Sequence, residues 1–416
     1  MSKVLVIGCG NVGNVGLHKM AQFPKTFTEI HVVSRTQEKC ETTKESIRKR
    51  SKGKVNLQIH VGNVGDKTFF MQLLKDINPA LVVNWGSPYD NLEVMDVCLE
   101  YGVNYIDTAC YEHPEKYGFS YKQQLAKNAA FKKKNLLAIT GAGFDPGVSN
   151  IFSAYARDYI FDRIDSIDIL DCNGGSKDKS IKFAPNFDPE INLRELILPI
   201  KYWKNGKWVE RGRLIDENAP FFEFNFPEAG KFTPYLMYHE ELETIPNHIP
   251  GLKRIRFWMT FSPAYLTYLR VLYEVGMTRI DTIDYNGTPV VPVKFLKAIL
   301  PKGKDFNKTY KGKTNIGNII SGVKNGKKKI IYIYNVCDHA DAFKETGGNA
   351  IGYTTAIPTV AVAKLVLEGK WKGIGVKNTE DKAFDSKIFL EEMAKTGLSW
   401  KVKTLKELPA ALKKEY

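Results

Sequence analysis

Glycines 8, 10 and 13 fall in the run Gly8-Cys9-Gly10-Asn11-Val12-Gly13, a spacing that can seat a dianion. Gly8 permits a tight turn, Gly10 lets the backbone approach a pyrophosphate, and Gly13 lets the next helix close on the preceding strand. Asn11 and Val12 open that helix, whose free N–H groups and positive dipole end would face the phosphates. Some twenty residues on, Ser34-Arg35-Thr36 ends a second apolar run, with Lys39 one turn later. An acid at that position would bind both ribose hydroxyls of NAD, whereas a guanidinium between two hydroxyls suits a 2′-phosphate. The expected cofactor is therefore NADP(H).

Such a cradle needs alternating strands and helices behind it, and the chain supplies them. Val4 to Ile7 is an apolar strand, Val15 to Gln22 a helix, Ile30 to Val33 a strand and Gln37 to Ser51 a charged helix. Val55 to Val61 alternates as a third strand and ends at Asn63-Val64, where a doubly wound sheet touches the adenine. A helix over 68–77 leads to the buried strand 80–84, whose tip (Asn84, Gly86, Ser87) lies where backbone passes the phosphates and the nicotinamide ribose. Val103 to Asp107 follows a helix closed by Gly102 and delivers Asp107 and Tyr111 to the same edge. A helix over 120–134 and the strand 136–140 complete six strands. Asp145-Pro146-Gly147 then opens a helix to Ile160, with Asp145 as N-cap and Pro146 at its first position. The same turn puts free N–H groups beside the nicotinamide. From Ile164 strand-like runs at 167–171, 196–203, 255–261 and 329–336 mix with loops and short helices. The fold expected is α/β: an N-terminal Rossmann doubly wound parallel sheet over 1–146, then an α+β domain with an open mixed sheet over 147–346. Residues 347–416 read as C-terminal helices returning to the first domain, the first of them broken at Pro358.

The length of 416 residues accommodates two cores, and 43% apolar with 25% charged residues is a globular composition. The net charge of +14 raises nucleic acid as a partner. The lysines, however, lie in scattered groups such as Arg48-Lys49-Arg50 and Lys327-Lys328-Lys329, which read as solvated faces, so no nucleic-acid role is expected. The six cysteines form no CxxC pair and the seven histidines no HxxxH spacing, so reduced thiols and no metal site are expected. Met1 runs almost directly into the first strand and no apolar run approaches a membrane span, which places the expected protein in the cytoplasm, off the membrane.

Several longer runs occur in a recognisable order: Gly141-Ala142-Gly143-Phe144-Asp145-Pro146-Gly147-Val148-Ser149-Asn150, Asn186-Phe187-Asp188-Pro189-Glu190-Ile191-Asn192-Leu193-Arg194-Glu195, Tyr238-His239-Glu240-Glu241-Leu242 and Tyr334-Asn335-Val336-Cys337-Asp338-His339. From the first strand to about Trp371 the chain resembles the carboxynorspermidine/carboxyspermidine dehydrogenases of the saccharopine dehydrogenase family. The resemblance implies a cytoplasmic homodimer that uses NADPH to join L-aspartate 4-semialdehyde to putrescine or 1,3-diaminopropane and reduces the resulting imine. One departure is Asp171-Cys172-Asn173-Gly174-Gly175-Ser176-Lys177-Asp178, which lacks the histidine expected in that loop. A saccharopine-forming relative, needing a glutamate-sized site, and an NADP-sensing regulator without chemistry are the alternatives.

Imine reduction needs a hydride donor, a proton donor for the departing hydroxyl, a clamp for the amino-acid carboxylate and anionic groups for the distal ammonium. Arg194 is the expected carboxylate clamp, because a guanidinium offers two parallel bonds. Asp338-His339, after a buried strand, is the expected proton-handling pair, since histidine titrates near neutral pH and a carboxylate can orient it. His239-Glu240-Glu241 is the alternative, its carboxylates suited to an ammonium, and Asn173 is a further substrate candidate. Asp107 and Asp145 are candidates for contacts to the amine from the cofactor side. One methylene is worth only about 1–3 kcal/mol in a pocket, which leaves both diamines open.

Overall fold

The computed structural model describes residues 2–50, 56–176 and 180–416. The expected helix end at Ser51, the strand start at Val55, and Lys177 and Asp178 of the altered loop lie outside the described residues.

The first domain runs β1 (Lys3–Ile7), α1 (Asn11–Met20), β2 (Glu29–Ser34), α2 (Gln37–Arg50), β3 (Leu57–Val61), α3 (Lys67–Ile77), β4 (Leu81–Asn84), α4 (Asn91–Tyr101) and β5 (Asn104–Asp107). A hairpin of β6 (Tyr111–Glu112) and β7 (Phe119–Ser120), then α5 (Lys122–Ala126) and α6 (Asn128–Lys133), precede β8 (Leu137–Thr140). The strands lie parallel in the order β8-β5-β4-β1-β2-β3. Helices cover both faces, so Val4, Leu5, Val6, Leu81, Val82 and Val83 are all fully buried, as continuous apolar runs in a parallel sheet should be. The single helix expected over 120–134 is instead a strand and two short helices. The break at Lys127-Asn128 turns the Asn128 side-chain oxygen, Oδ1, toward the Val376 N–H, 3.0 Å away on a late strand.

The turn after β8 also departs from expectation. The Asp145–Pro146 bond is cis, the cap is Gly147 at φ +135°, and α7 (Val148–Tyr155) starts one residue later, continuing as a wider turn to Ile160. Asp145 is therefore not an N-cap, and its carboxyl is available for other contacts.

The second domain contains β9 (Arg163–Cys172), α8 (Pro189–Leu196), β10 (Pro199–Lys204), β11 (Lys207–Arg213), β12 (Phe224–Phe226), β13 (Gly230–Phe232), β14 (Pro234–Met237), α9 (Ile245–His248) and β15 (Arg254–Thr260). It continues with α10 (Pro263–Glu274), β16 (Ile283–Tyr285), β17 (Thr288–Val290), α11 (Pro292–Ile299), α12 (Gly303–Phe306), β18 (Lys313–Lys324) and β19 (Lys327–Asp338). Its sheet has the order β11-β10-β15-β9-β18-β19, with β14 also on β15; β15 and β9 are parallel and the other pairs antiparallel. Side chains alternate between two buried faces. Ile167, Ile169, Ile255, Phe257, Ile331 and Ile333 join the core shared with α7, while Leu170, Trp258 and Tyr332 face the other way.

The tail is α13 (His339–Thr346), α14 (Ala350–Leu367), β20 (Gly375–Asn378), α15 (Ser386–Thr396), β21 (Lys401–Thr404) and α16 (Ala410–Lys413). Of the segment 347–416, α14 packs on α1 and β20 extends the first sheet beside β8, whereas β21 pairs with β19 of the second sheet. Helix α14 runs straight through Pro358, contrary to the expected break. Proline in a helix interior costs about 3 kcal/mol. Complete burial of Ala356, Ile357, Val360, Ala361 and Ala363 offsets that cost. This helix is also long and apolar enough to cross a membrane, which corrects the expectation of no such run, but 83% of it is buried within the protein.

Candidate active site

The carboxyl ends of β1, β2 and β4 build the cofactor cradle. A Cβ on Gly13 would lie 2.2 Å from the Gly8 carbonyl oxygen, and one on Gly8, at φ +94°, 2.7 Å from that of Trp85. Two bare glycines thus let α1 and the β4 loop close on β1. A Cβ on Gly10 would meet nothing within 4 Å, so the start of α1 adjoins open space of the kind a pyrophosphate needs. Val12 is half-buried in the first turn of α1. The Asn11 side chain is committed elsewhere, in a ring with Asn307 and Asn349: Asn307 donates to Asn11 (3.2 Å), Asn11 to Asn349 (3.3 Å) and Asn349 to Asn307 (2.8 Å). That ring ties α1 to the second domain and to α14, and leaves Asn11 its backbone N–H for a phosphate.

At the end of β2, Ser34 is half-buried while Arg35 and Thr36 are exposed, and the Thr36 N–H points at the Ser34 hydroxyl (3.4 Å). Asn63 caps its own turn through the Gly65 N–H, with Val64 buried beside it. Asn84 differs from expectation. Its oxygen accepts the Gly86 N–H (2.9 Å) and its amide donates to Asn91 (2.9 Å) and Tyr105 (3.1 Å), so it shapes the Gly86-Ser87 loop from below. Ser87 accepts the Tyr89 N–H at the start of the turn that follows.

Where the loop after β5 meets α8, β9 and the segment after β14, carboxyls gather. Glu112 and Glu240 are both pushed up to about 8 by burial; Arg194 opposes the shift at Glu112, and His239 opposes it at Glu240. Glu240 accepts the Cys110 N–H (2.7 Å) and the Tyr121 hydroxyl (3.3 Å). Burial disfavours a charged His239, yet Glu241 and Glu195 together hold its pKa well above the ordinary value. Its Nε2 donates to Glu195 (3.1 Å) and its Nδ1 to Glu241, and its ring stacks on Phe257 at 3.9 Å, the geometry of an imidazolium. Glu241 also accepts the Ser149 hydroxyl (2.8 Å). Asn173 donates to one oxygen of Asp171 (2.8 Å), while the other, buried oxygen meets no N–H or hydroxyl donor among the described residues and lies against the Asp145 carboxyl. Glu240 and Asp145 are half-buried, so part of each stays within reach of a solute.

Three expected roles do not survive the geometry. Arg194 is 1% exposed and donates to the carbonyls of Pro114 (2.8 Å), His113 (2.6 Å) and Lys116 (2.7 Å), with Glu112 3.6 Å from its Nε. It anchors the β6–β7 loop to α8 and has no open fork for a substrate carboxylate. His339 is fully buried, stacked on Tyr310 at 3.7 Å; its Nε2 donates to Gly174 O (3.0 Å) and its Nδ1 accepts the Ala350 N–H (3.2 Å). Asp338 caps α13 through the Ala340 and Asp341 N–H groups instead of orienting the imidazole. Asp107 is 1% exposed and accepts from Gln124 (2.7 Å) and the Gly141 N–H (2.8 Å); burial raises it to about 7, and it locks β5 to β8 beneath the cleft. Tyr111, also buried, binds the same Gln124 through its backbone.

Sequence reasoning named Glu241 beside His239 and Glu240 but missed Glu112, Glu195 and Asp171. For Asp171 a signal existed: it follows Ile167 and Ile169 at strand period and so shares their inward face.

The family description "Saccharopine dehydrogenase NADP binding domain" matches residues 4–139, and "Saccharopine dehydrogenase C-terminal domain" matches 143–398. A carboxyaminopropylagmatine dehydrogenase from Synechocystis is 44% identical over 409 residues, spanning 96% of this chain and 97% of that one. Carboxynorspermidine synthases from Vibrio alginolyticus and Vibrio cholerae are each 38% identical over 97% of both chains. Among solved structures, apo saccharopine dehydrogenase (L-Glu forming) from Saccharomyces cerevisiae superposes with a TM-score of 0.71 over 97% of this chain and all of that one; at 15% identity it bears on the fold alone. Matched end to end and in both domains, the chain belongs to the saccharopine dehydrogenase family and is an oxidoreductase with an NADP-binding N-terminal domain.

Proposed function

We propose that this enzyme uses NADPH to reduce the imine formed between L-aspartate 4-semialdehyde and a primary amine with a second positive charge at its far end. Putrescine would give carboxyspermidine and 1,3-diaminopropane carboxynorspermidine. The observation that carries the reading is the surplus of carboxyls where the loop after β5 meets α8, β9 and the segment after β14. Glu112, Glu195, Glu240, Glu241, Asp145 and Asp171 face two cations, Arg194 and His239, which are already bound by carbonyls and by two of those glutamates. A dication entering such a site gains charge-assisted bonds and relieves repulsion among the acids. Relatives named for carboxylated polyamines support the same chemistry.

In this reading the N–H groups of Gly10, Asn11 and Val12 hold the pyrophosphate, and Ser34, Arg35 and Thr36 the 2′-phosphate. Asn63 and Val64 border the adenine, and Gly86 and Ser87 the nicotinamide ribose. When bound, the cofactor supplies a hydride to the imine carbon. Glu112 and Glu240 hold the amine, and the rigid His239 pair holds Glu195 and Glu241 in place. The name of the Synechocystis relative favours agmatine as a further amine, its guanidinium being suited to paired carboxylates. A cytoplasmic homodimer belongs to the proposal; exposed Tyr268 and Val271 of α10, Val275 just after it, and Phe295 and Ile299 of α11 offer it apolar surface, and sedimentation as a monomer would remove it.

The test is product analysis by mass spectrometry after incubating purified protein, NADPH and aspartate semialdehyde with putrescine, 1,3-diaminopropane and agmatine together. A carboxylated secondary amine from one of them is expected. Turnover only with a lysine-derived semialdehyde and glutamate would mark a saccharopine-forming enzyme. Cofactor binding with no turnover would mark a regulator.

A further inference from the structure

We infer that Asp145 and Asp171 form a carboxyl pair sharing one proton, and that Asp145 is the acid that passes a proton to the hydroxyl of the carbinolamine before the imine is reduced. The inference rests on the reductive-condensation reading.

The two residues reach the cleft from different domains. Asp145 stands on the turn after β8, at the carboxyl edge of the first sheet, and keeps part of its surface open. Asp171 projects from the end of β9 and is 2% exposed. Its Oδ2 accepts the Asn173 amide (2.8 Å), while its buried Oδ1 has no N–H or hydroxyl donor among the described residues. What faces it is the Asp145 carboxyl. Two carboxyls hydrogen-bond only when one of them holds a proton. The cation acting on both is His239, whose two N–H groups are already spent on Glu195 and Glu241. Glu241 adds a further negative charge beside both acids, and Tyr310 and Cys172 lie within reach of Asp171. Burial raises both carboxyls, and Asp171, which already accepts the Asn173 amide, is the better placed to stay ionised, so Asp145 is the member that keeps the proton.

The pair can cycle without consuming anything. Holding one proton, it takes a second from the incoming ammonium, leaving a neutral amine whose lone pair attacks the aldehyde carbon. A C–N bond forms, the C=O π pair moves to oxygen, and that oxygen takes the proton the attacking nitrogen gives up, becoming the carbinolamine hydroxyl. Asp145 then protonates that hydroxyl; the C–O bond breaks, water leaves, and the nitrogen lone pair completes the C=N bond of an iminium. The pair is back to a single proton. Its singly protonated state also suits its surroundings, where a second bare carboxylate would be repelled by Glu241.

The test compares wild type with Asp145→Asn and Asp171→Asn. For D145N, product formation should fall by about 10²–10⁴, the range typical of general acids, while the dissociation constant for NADPH stays within about twofold. For D171N, loss of the neighbouring charge lets Asp145 ionise more readily, so the decline of kcat with rising pH should begin at lower pH. Wild-type kcat in D145N, or an unmoved limb in D171N, would overturn the inference. Infrared spectra give a readout independent of turnover: the wild-type minus D145N difference at neutral pH should show a protonated carboxyl band over those of Glu112, Glu240 and Asp107, which both proteins share, and a difference without that band would overturn the shared proton. If either variant fails to fold, Asp145→Glu takes its place: the protonated carboxyl band of residue 145 should shift to the position of a glutamic acid, and an unmoved spectrum overturns the assignment. Wild type that makes no product from any amine would defeat the reaction reading and the delivery step with it, while the band still decides whether the pair shares a proton.

Discussion

Arg35 and His339 show how far residue types alone reach. Arg35 emerges at the tip of β2, exposed and flanked by two hydroxyls, where a 2′-phosphate would meet it. Replacing it with alanine should remove a charge-assisted contact worth about 1.5–3 kcal/mol, raising KM for NADPH roughly ten- to a hundredfold and leaving KM for NADH nearly unchanged. Equal effects in steady-state assays with the two cofactors would contradict the assignment. His339 was legible as a histidine after a buried strand, which fits a catalytic base and a buried hydrogen-bonding residue equally well. Only the fold shows both ring nitrogens spent on Gly174 and Ala350. His339→Ala should therefore act on stability, leaving two buried backbone groups unpaired at about 1–3 kcal/mol each, with the pH dependence of kcat retained. Denaturant titration beside a pH–rate profile separates this from a catalytic role, which would shift the profile. Arg194 carries the same lesson: its charge was evident, but the three carbonyls that consume it come from a loop some eighty residues earlier in the chain.

At the scale of elements, the first domain was legible because its strands are continuous apolar runs punctuated by glycine, asparagine and proline. Gly13 is where sequence and packing agree most closely. Alanine there would place its Cβ 2.2 Å from the Gly8 carbonyl oxygen, which is backbone and cannot move aside, so α1 must shift. Gly13→Ala should cost about 1–3 kcal/mol of stability as an overpacked contact and weaken NADPH binding more than tenfold, read by thermal melting and by fluorescence titration. Unaltered binding would mean that α1 does not present the phosphate site. Elements whose partners are distant in sequence were harder to read. Strand β18 lacks clean alternation because Asn315 and Asn318 sit inside the sheet, bonded to Pro227 and to Ser149 and Ser153. Strand β20 is four residues long and becomes a strand only beside β8. The continuity of α14 through Pro358 is likewise decided by burial from outside the helix.

The whole molecule opposes two charge distributions: a net +14 overall and a cleft crowded with acids. That contrast sets a pH signature. Folding raises Glu112 and Glu240 to about 8 and Asp107 and Asp171 to about 7, all chiefly through burial, so the native state binds protons that the unfolded chain has released. Stability from these groups is full below the unfolded carboxylate range near pH 4 and is lost as pH rises through about 7 to 8. The raised pKa of His239 acts in the same direction. Melting temperature without substrate should therefore fall between pH 6 and pH 9, and Glu240→Gln should flatten the slope; a rise over that interval would contradict the acid-rich cleft. The surplus itself could not be read from sequence, because its members come from β6, β9, α8 and the segment after β14, and only the docking of the two domains brings them together. The central claim is that this cleft sets an imine of aspartate semialdehyde and a cationic amine against the nicotinamide. Its most direct measurement uses NADPH carrying deuterium at the transferable position of the ring, followed by mass spectrometry and NMR of the product. One deuteron on the former aldehyde carbon, now bonded to the amine nitrogen, is predicted; a product without that label, or label retained on the cofactor with every amine, would contradict the account.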